Sequence, residues 1–324
     1  WRWIFYVNLP IGIVAFVLAV RILPRVARAE HAPRLDVPGL LLMATGMPAL
    51  TYGLAEIGVT GGFSSARVIG PLIAGVVLLA IFIWHAWRAP APLLDLRLFR
   101  RTTYAAASVV MFFLGAALFG AIILLPLYFQ QLRGEDTIST GLLLAPQGFG
   151  MAMAMPFVGR LTDRIGGGPL VLGGVATTVL AGIPLGLIGA HTSYVWLSAV
   201  TVVRGVGIGF AFMPAFVAAF AALERHELPD AAPQLNVMMR VGGSIGTAVL
   251  AVVLARSLLS HPHTPAGSAA AFGTAFWWSL ALSAISIGPG YALLRAERSA
   301  RRAKLAAAAA GEEGAPGGVM EVAA

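Results

Sequence analysis

Cysteine is absent from this 324-residue chain, so no disulfide framework, thiol nucleophile or cysteine-based metal site is available to it. Charge is scarce as well. Asp, Glu, Lys and Arg make up 11% of the residues, where a soluble globular domain carries about 25%. No G-x-x-x-x-G-K-[ST] phosphate loop occurs, which removes the sequence sign of ATP-driven work. The 6 histidines are scattered. Their one close pair, His261 and His263, lacks a third ligand or a carboxylate, so neither a metal site nor a cofactor is expected. An integral-membrane enzyme clusters His, Asp, Glu or Ser at one membrane face, and this chain has no such cluster; the expectation is not an enzyme. An initiating Met is also lacking. The chain opens with Trp1 inside an apolar run, without the basic start and small-residue cleavage site of a signal peptide. The expectation is a piece of a longer polypeptide.

What fills the chain is apolar: 58% of residues are hydrophobic and the mean hydropathy is +0.84. Crossing roughly 30 Å of hydrocarbon takes about 20 apolar residues in a helix. Nine stretches meet that length, at about 4–23, 37–57, 67–87, 103–129, 138–158, 169–190, 194–221, 231–255 and 272–294. The fold class is therefore an all-α polytopic membrane protein. The eighth stretch is the weakest, because Arg240 interrupts it. The net charge of +8 is spread over short loops beside these spans, which reads as membrane topology and not as nucleic-acid binding. One set of loops holds Arg21, Arg25, Arg28, Arg34, Arg88, Arg97, Arg100, Arg101, Arg160, Arg164 and Arg225, and the tail on that side adds Arg295, Arg298, Arg301, Arg302 and Lys304. The opposite side holds only Arg2, Arg67, Arg133 and Arg256. Basic loops face the cytoplasm, so Trp1 is expected outside and the C-terminus inside, in a cell inner (plasma) membrane. Beyond Leu305 the chain has neither bulk nor apolar period and is expected to be disordered.

One polar interruption organises the rest. Between Pro156 and Leu170 the chain reads P-F-V-G-R-L-T-D-R-I-G-G-G-P-L. Gly159, Arg160, Asp163, Arg164 and Gly166 fall where one membrane helix should end and the next begin. There a glycine permits close approach, Asp163 can face a helix N-terminus, and the arginines can cap C-terminal carbonyls. The pattern G-x-L-x-D-R-x-G resembles the cytoplasmic-loop signature of the major facilitator superfamily, with Gly167 and Gly168 standing where stronger copies carry basic residues. The opening W-R-W-I-F-Y-V-N-L-P-I-G resembles the sixth helix of the fourteen-helix drug:proton antiporter branch, with Asn8, Pro10, Ile11 and Gly12 matching. Pro92 to Phe99 and Leu125 to Gln130 resemble the entry to, and first helix of, that branch's second bundle.

The resemblance implies a helical bundle that lacks its first five helices. Residues 1–23 would be the last helix of the N-terminal half, and 24–100 two linker helices with cytoplasmic loops. Residues 101–294 would be the six-helix C-terminal half, built from two inverted three-helix repeats, and 295–324 a cytoplasmic tail. It implies a secondary transporter, a multidrug-type exporter of small amphipathic compounds driven by proton entry. Its two halves would rock, with the Gly159–Gly166 loop as a latch. Partners would be a small-molecule substrate, protons, the bilayer and the missing N-terminal half, where the proton-carrying acid is expected. An exporter of one endogenous metabolite and a non-transporting truncated remnant remain open alternatives.

Within the chain, Arg204 falls about ten residues into its span, some 15 Å deep, where an arginine costs roughly 2.5–3.5 kcal/mol. Arg240 raises the same question. The acids avoid the last six spans, so neither arginine has an intramembrane carboxylate in its own bundle. Both are candidates for the substrate or proton pathway, or else for packing against carbonyls. Glu56 is a third candidate, or a solvated helix end. Phe112, Phe119, Met151, Phe210, Met213 and Met238 could line an adaptable cavity, although lipid-facing positions look the same. Gly182 with Gly186, Gly205 with Gly209, and Gly242 with Gly246 have the spacing of close helix packing.

Overall fold

The computed structural model describes residues 2–22, 35–60, 65–90, 92–221, 223–224, 227–262 and 264–313. The loop positions Arg25, Arg28, Arg34, Arg225 and His263, and the chain after Glu313, lie outside the described residues. Trp1 to Leu35 form one unit and Asp36 to the end a second. The first unit contributes helix α1, Arg2–Ile22, with Pro10 inside it.

The second unit begins with a helical hairpin, α2 (Val37–Thr60) and α3 (Ala66–Arg88). Asp36 starts it: its carboxylate accepts the Gly39 N–H, and it also binds His85 Nε2 at 2.7 Å and the Leu93 N–H at 3.0 Å. Burial pushes the Asp36 carboxyl up. The Gly39 amide, the His85 ring and the Leu93 amide more than offset it and hold the carboxyl below its usual range. One side chain thus ties the start of α2, the end of α3 and the following connector together. That connector ends in a 3-10 turn, Leu96–Arg100, capped by Asp95.

The remaining helices are α4 (Thr102–Leu127), α5 (Thr137–Ile165), α6 (Gly167–Gly186), α7 (Tyr194–Ala221), α8 (Leu228–Ser260), α9 (Pro265–Ile285) and α10 (Ile287–Glu313). Asp136 and Thr264 cap α5 and α9 by accepting the Ser139 and Gly267 amides. A π-helical turn, Tyr128–Leu132, follows Pro126 at the end of α4. No strand occurs among the described residues. Among the described residues, eight helical segments are long and apolar enough to cross a membrane, with α9 and α10 forming one of them, and the chain is a multi-pass membrane protein.

Packing follows a reciprocal rule. Helix α4 lies on α8 and α5 lies on α7, so the first helix of each three packs on the second helix of the other three. Helix α6 then packs on α7, α10 on α4, and the α2–α3 hairpin joins through α2 to α8. Each long crossing is closed by a pair of glycines. A Cβ on Gly242 of α8 would fall on the Phe112 carbonyl oxygen of α4, and one on Gly115 of α4 would fall on the Met239 carbonyl oxygen of α8. At the other crossing, Gly150 meets the Val202 carbonyl and Gly205 the Gln147 carbonyl. These pairs recur roughly 90 residues apart, the spacing of two three-helix units. The glycines expected to pack do so.

Four expectations need correction. The polar turn after Pro156 is not a loop. Helix α5 runs through Arg160, Asp163 and Arg164 to Ile165, and only Gly166, at φ 91°, breaks the path into α6. Glycine takes that φ without the clash a Cβ would make. The tail expected to be disordered beyond Leu305 is helical through Glu313, because alanine is the best helix former. The ninth span, 272–294, straddles a break at Ser286, which separates α9 from α10. Arg240 does not weaken α8, which passes through it unbroken because that side chain projects from an exposed face.

Candidate functional site

Arg204 is the deepest charge in the bundle. It lies eleven residues into α7 and is 3% exposed. Its guanidinium reaches the Gln147 side-chain oxygen on α5 and the Ala117 carbonyl on α4, each at 3.4 Å. It therefore bridges three helices through neutral acceptors, and among the described residues no carboxylate lies within ion-pair distance of it. Its other side borders a narrow interior gap with Thr178 of α6 and Ser279 and Ser283 of α9. A second gap of about 150 Å³, lined by Leu125, Leu144, Gln147 and Thr201, lies on the Gln147 side. Sequence analysis places Arg204 at depth but does not single out Gln147, an uncharged polar side chain that could hydrogen-bond a ligand or cap a helix. The missed signal was its position mid-way along α5, far from either end.

Arg240 occupies a different place. It is exposed on α8, and its guanidinium carbon lies 5.7 Å from the Phe119 ring centroid. Both residues line a cavity that also touches α2. Glu56 follows Ala55, which lines that cavity, but does not line it itself. The structure thus separates the two arginines that sequence analysis grouped. Of the candidate cavity residues, Phe119 lines the Arg240 cavity. Phe112 instead packs edge-on to Phe113, and Met213 is exposed; the six do not converge on one site.

At the α5–α6 corner, Gly159, Arg160, Asp163 and Arg164 are all exposed, and the last three make no ion pair among the described residues. The helix N-terminus expected to meet Asp163 is held by Glu297 of α10. Its two carboxylate oxygens accept the Gly167 N–H, at 2.9 Å, and the Gly168 N–H. A carboxylate here satisfies two amides that α6 leaves free and complements the positive end of the helix. Glu297→Ala should lower thermal stability by about 2 kcal/mol, the scale of two charge-assisted hydrogen bonds less solvent screening. Thermal unfolding of detergent-solubilised protein checks this, with Glu297→Gln intermediate because its amide keeps one acceptor oxygen.

Arg101 marks the matching end of α4. It pairs with Glu227 at 2.9 Å, while buried Tyr104 donates to the Ala231 carbonyl and Gln234 Oε1, binding the start of α4 to the start of α8. At the opposite ends, Tyr128 donates to the Gly189 carbonyl, Arg133 to the Thr192 carbonyl, and Tyr194 to Glu135. Polar clasps thus close both ends of a bundle whose middle holds one bridging arginine.

A profile of the Major Facilitator Superfamily matches residues 1–247. The chain belongs to that superfamily. Among its curated relatives is the Multidrug resistance protein B homolog of Mycobacterium tuberculosis, 36% identical over 258 residues, which cover 78% of this chain and 47% of the relative. The uncharacterized MFS-type transporter YcnB of Bacillus subtilis is 32% identical over 273 residues, 84% of this chain and 57% of the relative. The lincomycin resistance protein LmrB of Listeria monocytogenes is 29% identical over 267 residues, covering 82% and 56%. The chain spans about half the length of the curated relatives it matches. The reciprocal pairing of α4 with α8 and of α5 with α7 is the pattern two inverted three-helix repeats would give.

Proposed function

We propose that this chain is the linker pair and second six-helix half of a proton-driven exporter of small amphipathic compounds, operating by alternating access. Residues 1–23 end the first half, 24–100 carry the linker helices, 101–294 form the second half, and 295–324 lie in the cytoplasm. The observation that carries the reading is the continuous match, over 258 residues, to a relative named for multidrug resistance. The bundle is consistent with it: rigid at both ends through polar clasps, closely packed through glycines, and holding a buried arginine without a carboxylate. The loop charge supports a cytoplasmic position for the clasp of Arg101 and Glu227 and for the Gly166 corner. The proton-carrying acid is assigned to the preceding half.

The test uses the complete reading frame that contains this chain, in everted membrane vesicles with a fluorescent amphiphilic dye added to the outside. Dye movement should follow an imposed proton gradient, stop on addition of a protonophore and ignore vanadate. Movement indifferent to the proton gradient would overturn proton coupling, and no movement of any tested amphiphile would overturn export of this class.

A further inference from the structure

We propose that the cavity between α2, α4 and α8 binds an amphiphilic anion: one negative group on an apolar or aromatic body, seated between Arg240 and Phe119. The inference concerns binding and goes beyond the export reading. The cavity encloses about 290 Å³ and is lined by Thr51 and Ala55 of α2, Phe119 of α4, and Arg240, Ser244 and Thr247 among the residues of α8. That volume is near the ~300 Å³ lower limit of ordinary small-ligand pockets. It suits a one- or two-ring body.

The chemistry of the lining selects the ligand. Arg240, Ser244 and Thr247 follow one another at spacings of four and three on α8, which puts them in a single stripe. Arg240 lies ten residues inside the apolar span Asp230–Ser260. No carboxylate lines the cavity, and among the described residues none pairs with Arg240. A guanidinium at that depth without a counter-charge is costly, and an incoming anion supplies the counter-charge. The neighbouring hydroxyls are not equivalent. Thr51 donates to the Met47 and Pro48 carbonyls, and Ser244 donates to the Arg240 carbonyl. Thr247 has no such bond among the described residues, so its hydroxyl is available as a second donor to the anion. The apolar part of the ligand meets Phe119 and Ala55. Phe119 is laid against Gly243, where an added Cβ would stand 2.6 Å from the ring. Gly243 thereby sets the depth of the cavity. A cationic amphiphile of the same size would meet Arg240 and find no acid.

The complete reading frame, reconstituted in phosphatidylcholine nanodiscs, is titrated with naphthalene-acetate and with its trimethylammonium counterpart, read by fluorescence anisotropy. The anion should bind at least about tenfold more tightly than the cation. Arg240→Gln should remove about tenfold of anion affinity and leave cation binding unchanged, while Arg240→Lys should retain the anion within about threefold. Gly243→Ala, which drives the Phe119 ring into the cavity, should weaken the anion as well. Gly141→Ala, where an added Cβ meets nothing within 4 Å, should not. Replacing part of the lipid with phosphatidylglycerol distinguishes the source of the anion. Competition identifies a lipid headgroup as an occupant, and its absence identifies a free amphiphile. Equal binding of the two probes, or anion binding unchanged in Arg240→Gln of normal melting temperature, overturns the proposal. So does equal loss in Arg240→Gln and Arg240→Lys.

Discussion

Replacing Arg204 with methionine is expected to leave the protein folded, with a melting temperature equal to or above that of the parent, and to reduce export by at least about tenfold. The two halves of this expectation pull in opposite directions, and that makes the experiment decisive. A guanidinium that is 3% exposed, bonded only to a side-chain amide and a backbone carbonyl at 3.4 Å, recovers little of its lost hydration. Methionine has similar length, no charge and a flexible thioether that fills irregular space. A purely structural arginine would make Arg204→Met either neutral or destabilising, with export following the amount of folded protein. A working arginine would give a stable protein that no longer exports. Gln147→Leu, which removes one acceptor and leaves the charge, should sit between, with export reduced by a smaller factor. Thermal unfolding in detergent and dye transport in vesicles, measured on the same preparations, read both arms.

The second large effect is steric. Gly242→Leu is expected to destabilise the protein by more than about 3 kcal/mol, beyond the usual range for an overpacked site. The obstruction is a backbone carbonyl of α4, that of Phe112, which cannot rotate aside as a side chain can. Gly205→Leu should behave alike, because the Gln147 carbonyl stands in the same relation across the other crossing. Gly148→Leu, one residue from that carbonyl along α5, should be tolerated, since nothing lies within 4 Å of its Cβ position. Unfolding temperatures of the three variants test the pattern. Equal tolerance at all three would show that the helices do not touch through backbone.

The apolar lengths made the membrane helices legible, and the spacing of Gly205 with Gly209 and of Gly242 with Gly246 made two packing faces legible. Their partners were not. Nothing local to Gly242 says that it will meet Phe112, because that contact spans a long loop of chain and depends on how α4 and α8 cross. The same limit explains Glu297. Asp163 stood beside the α6 N-terminus in sequence, but helix α5 carries it to an exposed face. The carboxylate that fills the role is that of Glu297, 130 positions beyond Gly167. The repeat was invisible for another reason. What recurs is the relation of a glycine to a facing carbonyl, and the residues that supply those carbonyls, Phe112 and Val202 or Met239 and Gln147, share no side-chain chemistry. Arg204 was legible because a charge in an apolar run has no innocent neighbours. Gln147, an uncharged side chain, gave no such contrast.

The Glu297 contact also has a mechanical meaning. Helix α10 continues from that residue to Glu313, about 24 Å of rod at the usual rise. Among the described residues, its side-chain hydrogen bonds to the α5–α6 corner are the pair from Glu297 to two adjacent amides. The helix also packs on α4 and α6, so the Glu297 contact is one of several points at which a push along the rod is resisted. A movement of α10 that loosens its packing on α4 and α6 therefore also bears on Gly167 and Gly168, beside Gly166, the one residue of that corner whose backbone is neither in α5 nor in α6.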